Sequence, residues 1–570
     1  MSQRGKHIDQ VVKRKLLLSV GAILIVIVGL VLLNSMLSFR LDLTEEKRFS
    51  LHEATKNVLA NLEEPLEVDI LLTGNLPGGM RRFQKNIEET LETFNAYSSK
   101  KISIRYFDPL EIKVENEQEE YILYLAEFGI NPTNLFANNN GSQTSRLIFP
   151  GVVIRNAEYE TGGLLLKGEN GMSPEQILNL SIENLEYELI SMIEKLVSAD
   201  KQAIAMITNH GELQDDEGYG IVEALSAEYE VYKVPLEQAK TVDDLMVFDA
   251  IIIAGPKANF KEREIYLMDQ YVMRGGNVLF CIDPLAVDME NAGGEGTVAL
   301  AYETGLDQLL FKYGVRINKD LIQDMNFGYY PVVAGDFGNQ PQITPLPWPF
   351  YVIATNMSDH VITKGLDQMK FRFVSSLDTV KAEGVRKTPL VFSGDYSRTL
   401  AQPVNVAFKD MMQEPDISLF SQKYLPLVYL LEGNFTSYFK NRFLPEEFKG
   451  DGKFTDSGSG NVVVVGDGDW IQGVRNVQTG EPLAIGIDPF SDVSVSNKVF
   501  LENTLKYLLD PNGIMVTRSK ELKIRPLNKK LVEEEKLKWQ LINIALPIVL
   551  IMMLGSVKVY WRKRKFGSKN

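Results

Sequence analysis

Three short segments of this chain bring together residue types that move protons and bind ligands. Thr208-Asn209-His210-Gly211-Glu212, Gly255-Pro256-Lys257 and Asp283-Pro284 each come directly after an apolar run of strand length. In an open parallel sheet, ligands collect outside the carboxyl ends of the strands. His210, Glu212, Lys257 and Asp283 are thus placed to line one crevice, where an imidazole can act as a general base and the set as a whole can hold a sugar or a peptide. The same residues have a plainer reading. Asn, Gly, Pro and Asp are what turns demand, and an acid after a strand caps the helix that follows. Sequence leaves both readings open.

The other motifs mostly exclude chemistry. Cys281 is the single cysteine and lies inside NVLFCIDP, without the glycine-flanked elbow of a nucleophile, so it reads as a buried, inert thiol. One cysteine also rules out an intrachain disulfide and a CxxC redox pair. The histidines, His7, His52, His210 and His360, share no metal-ligand spacing, and His52-Glu53 lacks the second histidine of HExxH. Asp467-Gly468-Asp469 begins like a calcium loop, but Ile471 replaces the third oxygen ligand and no glycine follows at the sixth place, so a strand-end turn is expected. No GxxxxGK[ST] occurs, and the chain is not itself a P-loop ATPase. No catalytic residue, metal or cofactor is expected.

The elements that position these segments follow from periodicity. Ala203 to Thr208, Val231 to Val234, Phe248 to Ala254 and Asn277 to Ile282 are near-continuous apolar runs, separated by helical stretches at Tyr219 to Tyr229 and Lys261 to Met273. That alternation indicates a parallel sheet covered on both faces. Gly275-Gly276 closes the last helix before its strand. Asn461 to Val465 supplies another buried strand, and PQITPLPWPFYVI interrupts the pattern, so residues 300–510 read as insertions plus completion of one α/β lobe over 199–510.

An earlier lobe, 63–198, opens with Val68, Ile70 and Leu72 alternating in a strand, then a Pro77-Gly78-Gly79 turn. Met80, Phe83, Ile87, Leu91, Phe94 and Tyr97 form one stripe of a helix. Ile102, Ile104 and Tyr106 return to period two, an amphipathic stretch covers Tyr121 to Phe128, and Leu147 to Ile154 with Gly162 to Lys167 read as a hairpin. This β-α-β-α-β-β order resembles a thioredoxin-like domain without its cysteines. Leu185, Leu189, Ile193 and Leu196 mark a helix over Glu183 to Ala199 that reads as a connector between the lobes.

Both ends of the chain are apolar and braced by bases. Leu16 to Leu33, continuing weakly to Leu37, reaches about 30 Å as a helix, enough to cross a bilayer core. Leu541 to Val557 is bracketed by Trp539 and Trp561 and followed by Arg562, Lys563, Arg564 and Lys565, with Pro547 as a kink position. No small-x-small cleavage pattern follows the first run, so an uncleaved anchor is expected there. The division is then a basic tail at 1–15, a span at 16–37, a juxtamembrane segment at 38–62, the two lobes, a charged stalk at 511–540, a span at 541–557 and a basic tail at 558–570. Short basic tips favour two cytoplasmic termini and an exterior bulk. Outside those tips the chain holds 49 Lys and Arg against 74 Asp and Glu, a formal −25, which excludes nucleic-acid binding by phosphate neutralisation.

Several stretches in order resemble one family. DLTEEKRFSLHEATKNVLANLEEPLEVDILLTGNLP, ITNHGE, IIIAGPKANFKEREIYLMDQYVMRGGNVLFCIDP, SDHVITKGL, LLEGNFTSYFKNRF, VVVVGDGDW and NKVFLENTLKYLLDPNGIMVTRSKELKIRPLN are similar to the gliding-motility ABC-transporter auxiliary proteins, the GldG-like family of Bacteroidota, across nearly the whole chain. The second lobe is also similar to class I glutamine-amidotransferase-like sheets, without the cysteine elbow. The resemblance implies a non-enzymatic accessory subunit, nominally substrate-binding, held in the inner membrane with its bulk in the periplasm. Its implied partners are an ABC permease, a separate ATPase and inner-membrane lipid.

Overall fold

The computed structural model describes residues 50–519 and 529–566, apart from 140–141, 169–171, 198–200, 214, 294, 338–339, 413–414, 445–447, 449–453, 477–479 and 488–493. The expected span at 16–37 and the tail at 1–15 lie outside the described residues.

Both lobes belong to one unit, Leu51–Lys520. The first is built from α1 (Glu53–Ala60), β1 (Leu66–Ile70), α2 (Gly78–Tyr97), β2 (Ile102–Tyr106), α3 (Glu115–Glu127), β3 (Gly151–Arg155), β4 (Glu160–Leu164) and α4 (Pro174–Val197). Its sheet runs β2-β1-β3-β4, with β2 parallel to β1 and the other pairs antiparallel. The alternation expected of β1 is realised: Leu66, Val68 and Ile70 are buried against Phe83, Ile87, Leu91 and Phe94 of α2. Asp69 faces the other way and is bonded by Arg105 on β2 and by Arg155 on β3 at 2.9 Å.

Four details differ from the sequence reading. Leu147 and Ile148 belong to a separate hairpin, Thr133–Asn139 with Ser142–Ile148, and the expected hairpin is instead β3 with β4. The helix read as a connector is α4, whose Leu185, Leu189, Ile193 and Leu196 sit inside the first lobe's own core. That core also takes in Leu51, Leu59 and Leu62, because buried Glu186 of α4 accepts from His52 N at 2.7 Å and Thr55 Oγ1 at 2.8 Å, so the lobe begins before 63. At the other end, Ile514 returns to the same core, so the segment up to Ser519 is packed structure rather than stalk.

The second lobe carries β5 (Ala203–Thr208), α5 (Asp215–Ser226), β6 (Glu230–Pro235), β7 (Ala250–Ala254), α6 (Glu262–Met273), β8 (Asn277–Cys281), α7 (Leu306–Tyr313), β9 (Val315–Ile317), β10 (Asn356–Met357), β11 (Leu377–Thr379), β12 (Val385–Phe392), β13 (Pro426–Thr436), β14 (Ser457–Val465) and α8 (Asn497–Leu508). Its eight strands run β10-β12-β13-β14-β8-β7-β5-β6. The five from β14 to β6 are parallel, and the other three extend the sheet antiparallel, so it is mixed rather than wholly parallel. In chain order the parallel strands stand 2-1-3-4-5, a doubly wound arrangement whose direction of winding reverses between β5 and β7.

Burial on both faces explains why these strands show no polar alternation. Ile252, Leu279, Val463 and Val465 face the core under α5 and α8, whereas Ile251, Ile253, Phe280 and Val464 face the core under α6 and α7. PQITPLPWPFYVI lies within a long strand, Gln340–Ala354, paired with Phe327–Phe337. Pro345, Pro347 and Pro349 recur at every second position, so the missing donors share one edge, and the partner on that side, Met369–Arg372, pairs only from Tyr351 onward.

A second unit is separate from these lobes. Its described part is α9 (Lys529–Phe566). Glu534–Arg564, 31 residues of it, is long and apolar enough to cross a membrane by length and composition, and none of its most apolar stretch is buried. Pro547 lies inside this helix.

Candidate functional site

The turn after β5 is forced by two left-handed residues, Asn209 at φ 87° and Gly211 at φ 79°, which leave His210 between them directed inward. Its main-chain N–H donates to Glu212 Oε2 at 2.6 Å, and its Nδ1 lies 3.2 Å from Glu212 Oε1. On the far side of the ring, Nε2 lies 3.1 Å from Glu264 Oε2. Phe260 stacks on the imidazole at 3.8 Å. Glu264 occupies the first turn of α6, where its carboxylate also accepts the Lys261 N–H at 2.6 Å and so caps the helix. Burial disfavours a charged imidazole here, but the bonds to Glu212 and Glu264 outweigh it and raise the His210 pKa above its ordinary 6.5.

A ring with both nitrogens engaged and 5% residue exposure acts as a clamp, not as a base awaiting substrate. It fastens the loop after β5 to the start of α6. The loop after β7 is fastened to it as well: the N–H groups of Lys257 and Ala258 donate to His210 O at 2.7 and 2.8 Å, and Leu213 N donates to Ala254 O at 2.9 Å. The Lys257 side chain is exposed.

Asp283 belongs to a second cluster. Its Oδ1 accepts Gly468 N at 2.8 Å, and burial together with the neighbouring Asp469 raises its carboxyl to about 8. Asp467 accepts Arg372 N at 2.6 Å and Asp469 N at 3.0 Å, and burial with Asp469 and Asp283 beside it raises its pKa well above the usual range. Among the described residues, no group of three or more His, Cys, Asp or Glu is arranged to hold a metal ion.

The four side chains expected to share a crevice therefore divide: His210 and Glu212 with Glu264, Asp283 with Asp467 and Asp469, and Lys257 outward. Between them the space is filled by main chain. A Cβ built on Gly468 falls 2.7 Å from Gly255 Cα and 2.4 Å from Asp283 Oδ2, so the loops after β7 and β14 touch backbone to backbone. The crevice is closed at that point. Cys281 is fully buried, and burial raises its thiol pKa, in keeping with an inert role.

Two members of the His210 cluster escaped the sequence reading. Phe260 and Glu264 lie within ANFKERE, where Lys stands at the cap position in place of the Ser or Thr that announces a capping box.

Residues 201–504, which contain all of these residues and the whole of the large sheet, match the family described as an ABC-type uncharacterized transport system. Residues 45–155 match a domain of unknown function, DUF7088. The chain is similar to a Borreliella burgdorferi protein described as an uncharacterized protein, at 21% identity over 415 residues, covering 71% of this chain and 75% of that one. Among solved structures it is similar to the N-terminal domain of mmIFT52, with 14% identity, TM-score 0.31 and coverage of 54% of this chain and 98% of that one. It is also similar to a ThuA-like protein of Bacteroides uniformis, with 10% identity, TM-score 0.26 and coverage of 54% and 91%.

Proposed function

We propose the following for a chain that belongs to the ABC-type uncharacterized transport system family: it is a non-enzymatic accessory subunit, docked by its apolar helices beside an ABC permease and a separate ATPase, with its lobes outside the cytoplasm. The family match over 201–504 carries this reading. Helix Glu534–Arg564 supports membrane attachment, and the basic residues beside both apolar segments support a two-pass topology with both termini cytoplasmic and the body in the periplasm. Within that reading we assign the first lobe a thioredoxin-like fold without the redox cysteines, supported by its β2-β1-β3-β4 order, and a part in binding partners; gliding motility is the process we assign to the complex.

The second lobe's amidotransferase-like sheet serves as scaffold. His210 has no free ring nitrogen, which argues against a hydrolase built on it. A second reading, a periplasmic receptor for a sugar or peptide at His210, Glu212, Lys257 and Asp283, is favoured by one observation: the loops that carry His210, Glu212 and Lys257 flank the point where the winding of the sheet reverses. Thermal-shift screening separates the two, because a saturable ligand raises the unfolding midpoint by mass action.

The deciding experiment is purification of the full chain from its native membrane in mild detergent. The permease and ATPase encoded with it should co-purify in fixed ratio; a chain that purifies alone under conditions that keep the transporter intact refutes the reading. Protease added to sealed spheroplasts should cut the body, and protection there would refute the periplasmic placement.

A further inference from the structure

A second concavity lies at the other edge of the large sheet. Thr436, the last residue of β13, pairs with Ser457 at the start of β14, which places the turn after β13 at the amino ends of the parallel strands, away from His210. That turn, with α7 and β9, encloses a cleft of about 860 Å³, a volume suited to a small-molecule ligand.

Its charge runs against that of the chain. Among the described residues, Lys312, Arg316, Lys319 and Arg442 line it and Asp307 is the one lining acid, in a protein of formal charge −15. Arg316 is paired with Asp378 across the β9-β11 ladder at 2.5 Å. Among the described residues, Lys312, Lys319 and Arg442 make no ion pair. Scattered surface cations would not make a site, but these surround one hollow. The Arg442 guanidinium lies 3.7 Å from the centre of the Tyr438 ring, which orients its planar fork. Phe311, 53% exposed, and half-buried Ile317 supply apolar surface beside the cations.

The walls are tied together underneath. Buried Asp269 of α6 accepts from Tyr313 Oη of α7 at 3.0 Å and from Ser437 Oγ and Tyr438 N at 2.6 and 3.0 Å. Above it, Tyr438 Oη donates to Gln308 Oε1 at 2.6 Å. The cleft is thus held open by bonds that no ligand has to form.

We propose that this cleft binds a small organic anion with a doubly charged head, of the phosphate monoester class, met by Lys312, Lys319 and Arg442, with its apolar body on Phe311 and Ile317. Three uncommitted cations suit a dianion better than a single carboxylate, and charge-assisted bonds to such a head are the strong ones. The inference stands apart from the transport reading and does not depend on a permease.

The test is a ³¹P NMR titration of the full chain in neutral detergent, with phenyl phosphate and inorganic phosphate as probes. Phenyl phosphate should saturate. Lys319→Glu with Arg442→Glu, both on the surface, should raise its Kd by about tenfold or more while the unfolding midpoint stays unchanged. Phe311→Ser should weaken phenyl phosphate about threefold and leave inorganic phosphate as it was. Failure of phenyl phosphate to saturate in the millimolar range overturns the proposal, as does an unchanged Kd in the charge-reversed variant; loss of the phenyl phosphate preference in no variant would remove the apolar half of it.

Discussion

Replacing His210 by Gln tests whether the ion cluster between the β5 loop and α6 holds this end of the sheet. The side chains of Glu212 and Glu264 are 1% and 5% exposed, so the change leaves two carboxylates in a nearly dry site without the cation between them. Removing one partner of a buried ion pair costs about 3 to 5 kcal/mol. The main-chain bonds of residue 210 survive, and the glutamine amide can donate to one carboxylate, which sets the expectation near the lower figure, ~3 kcal/mol. The pH dependence has a definite sign. His210 is raised in the folded state, so its stabilisation is fully present below the ordinary 6.5 and is lost as pH rises through the folded value. Thermal unfolding of the full chain in detergent, followed by circular dichroism from about pH 5.5 to about 8.5, should show the gap between wild type and His210→Gln narrowing with rising pH, by up to ~1.4 kcal/mol per unit. Asp283 and Asp467 also tilt the curve downward, but they are common to both proteins and cancel in the difference. A variant within ~1 kcal/mol of wild type, or a gap that is flat or grows with pH, refutes the clamp.

Three further outcomes can be measured on the same preparation. Asp283→Asn should stabilise the protein at neutral pH by ~2 kcal/mol: the folded carboxyl is raised from 3.8 to about 8, so wild-type stability is full below 3.8 and declines toward 8, whereas the amide keeps the Gly468 bond without a charge; an equal midpoint at neutral pH counts against this. Gly458→Ala should destabilise by ~3 kcal/mol or more, since the new Cβ would fall 1.7 Å from Met273 O, and an unchanged midpoint would mean that the end of α6 yields freely. Arg518→Ala should split one calorimetric transition into two, because Arg518 donates to Asn503 Oδ1 at 3.0 Å and Lys364 O at 3.2 Å while its guanidinium lies over Tyr187 of the first lobe; a single sharp transition would show that the lobes are joined by other means.

The large sheet was legible in the sequence because burial on both faces writes itself as continuous apolar runs. Val231 to Val234 lie within β6, Asn277 to Ile282 covers β8 and one residue beyond it, and Lys261 to Met273 begins at the residue that caps α6. Two kinds of information were not legible. Pairing direction is invisible in composition, so nothing in PLVYLLEGNFT says that β13 runs antiparallel to β14. Distant polar partners are equally hidden: Glu186 reaches His52 and Thr55 across more than 130 positions, and that contact moves the edge of the first lobe. At the candidate site, the strand ends were legible and the backbone approach between them was not. Two of the three loops named from sequence, those after β5 and β7, flank the reversal of winding, but whether Gly468 leaves a gap beside Gly255 or fills it depends on a backbone approach that two glycines permit without specifying.

This closure bears on where recognition resides. A bare 2-1-3-4-5 sheet offers the carboxyl ends of its strands, and here that edge is occupied by glycine contacts and two networks of acids. The chain between β8 and β14, residues 282–456, supplies α7, β9, the antiparallel extension of the sheet and the turn at Ser437 to Arg442. Both walls of the cationic cleft come from this insertion, while Asp269, which ties them, comes from the parallel core. A substitution of Asp269 is therefore diagnostic. If Asp269→Asn weakens phenyl phosphate without touching any cation, the core is setting the geometry of a site that the insertion provides. If it leaves that affinity unchanged, the insertion holds its cleft alone and the parallel sheet is only its support.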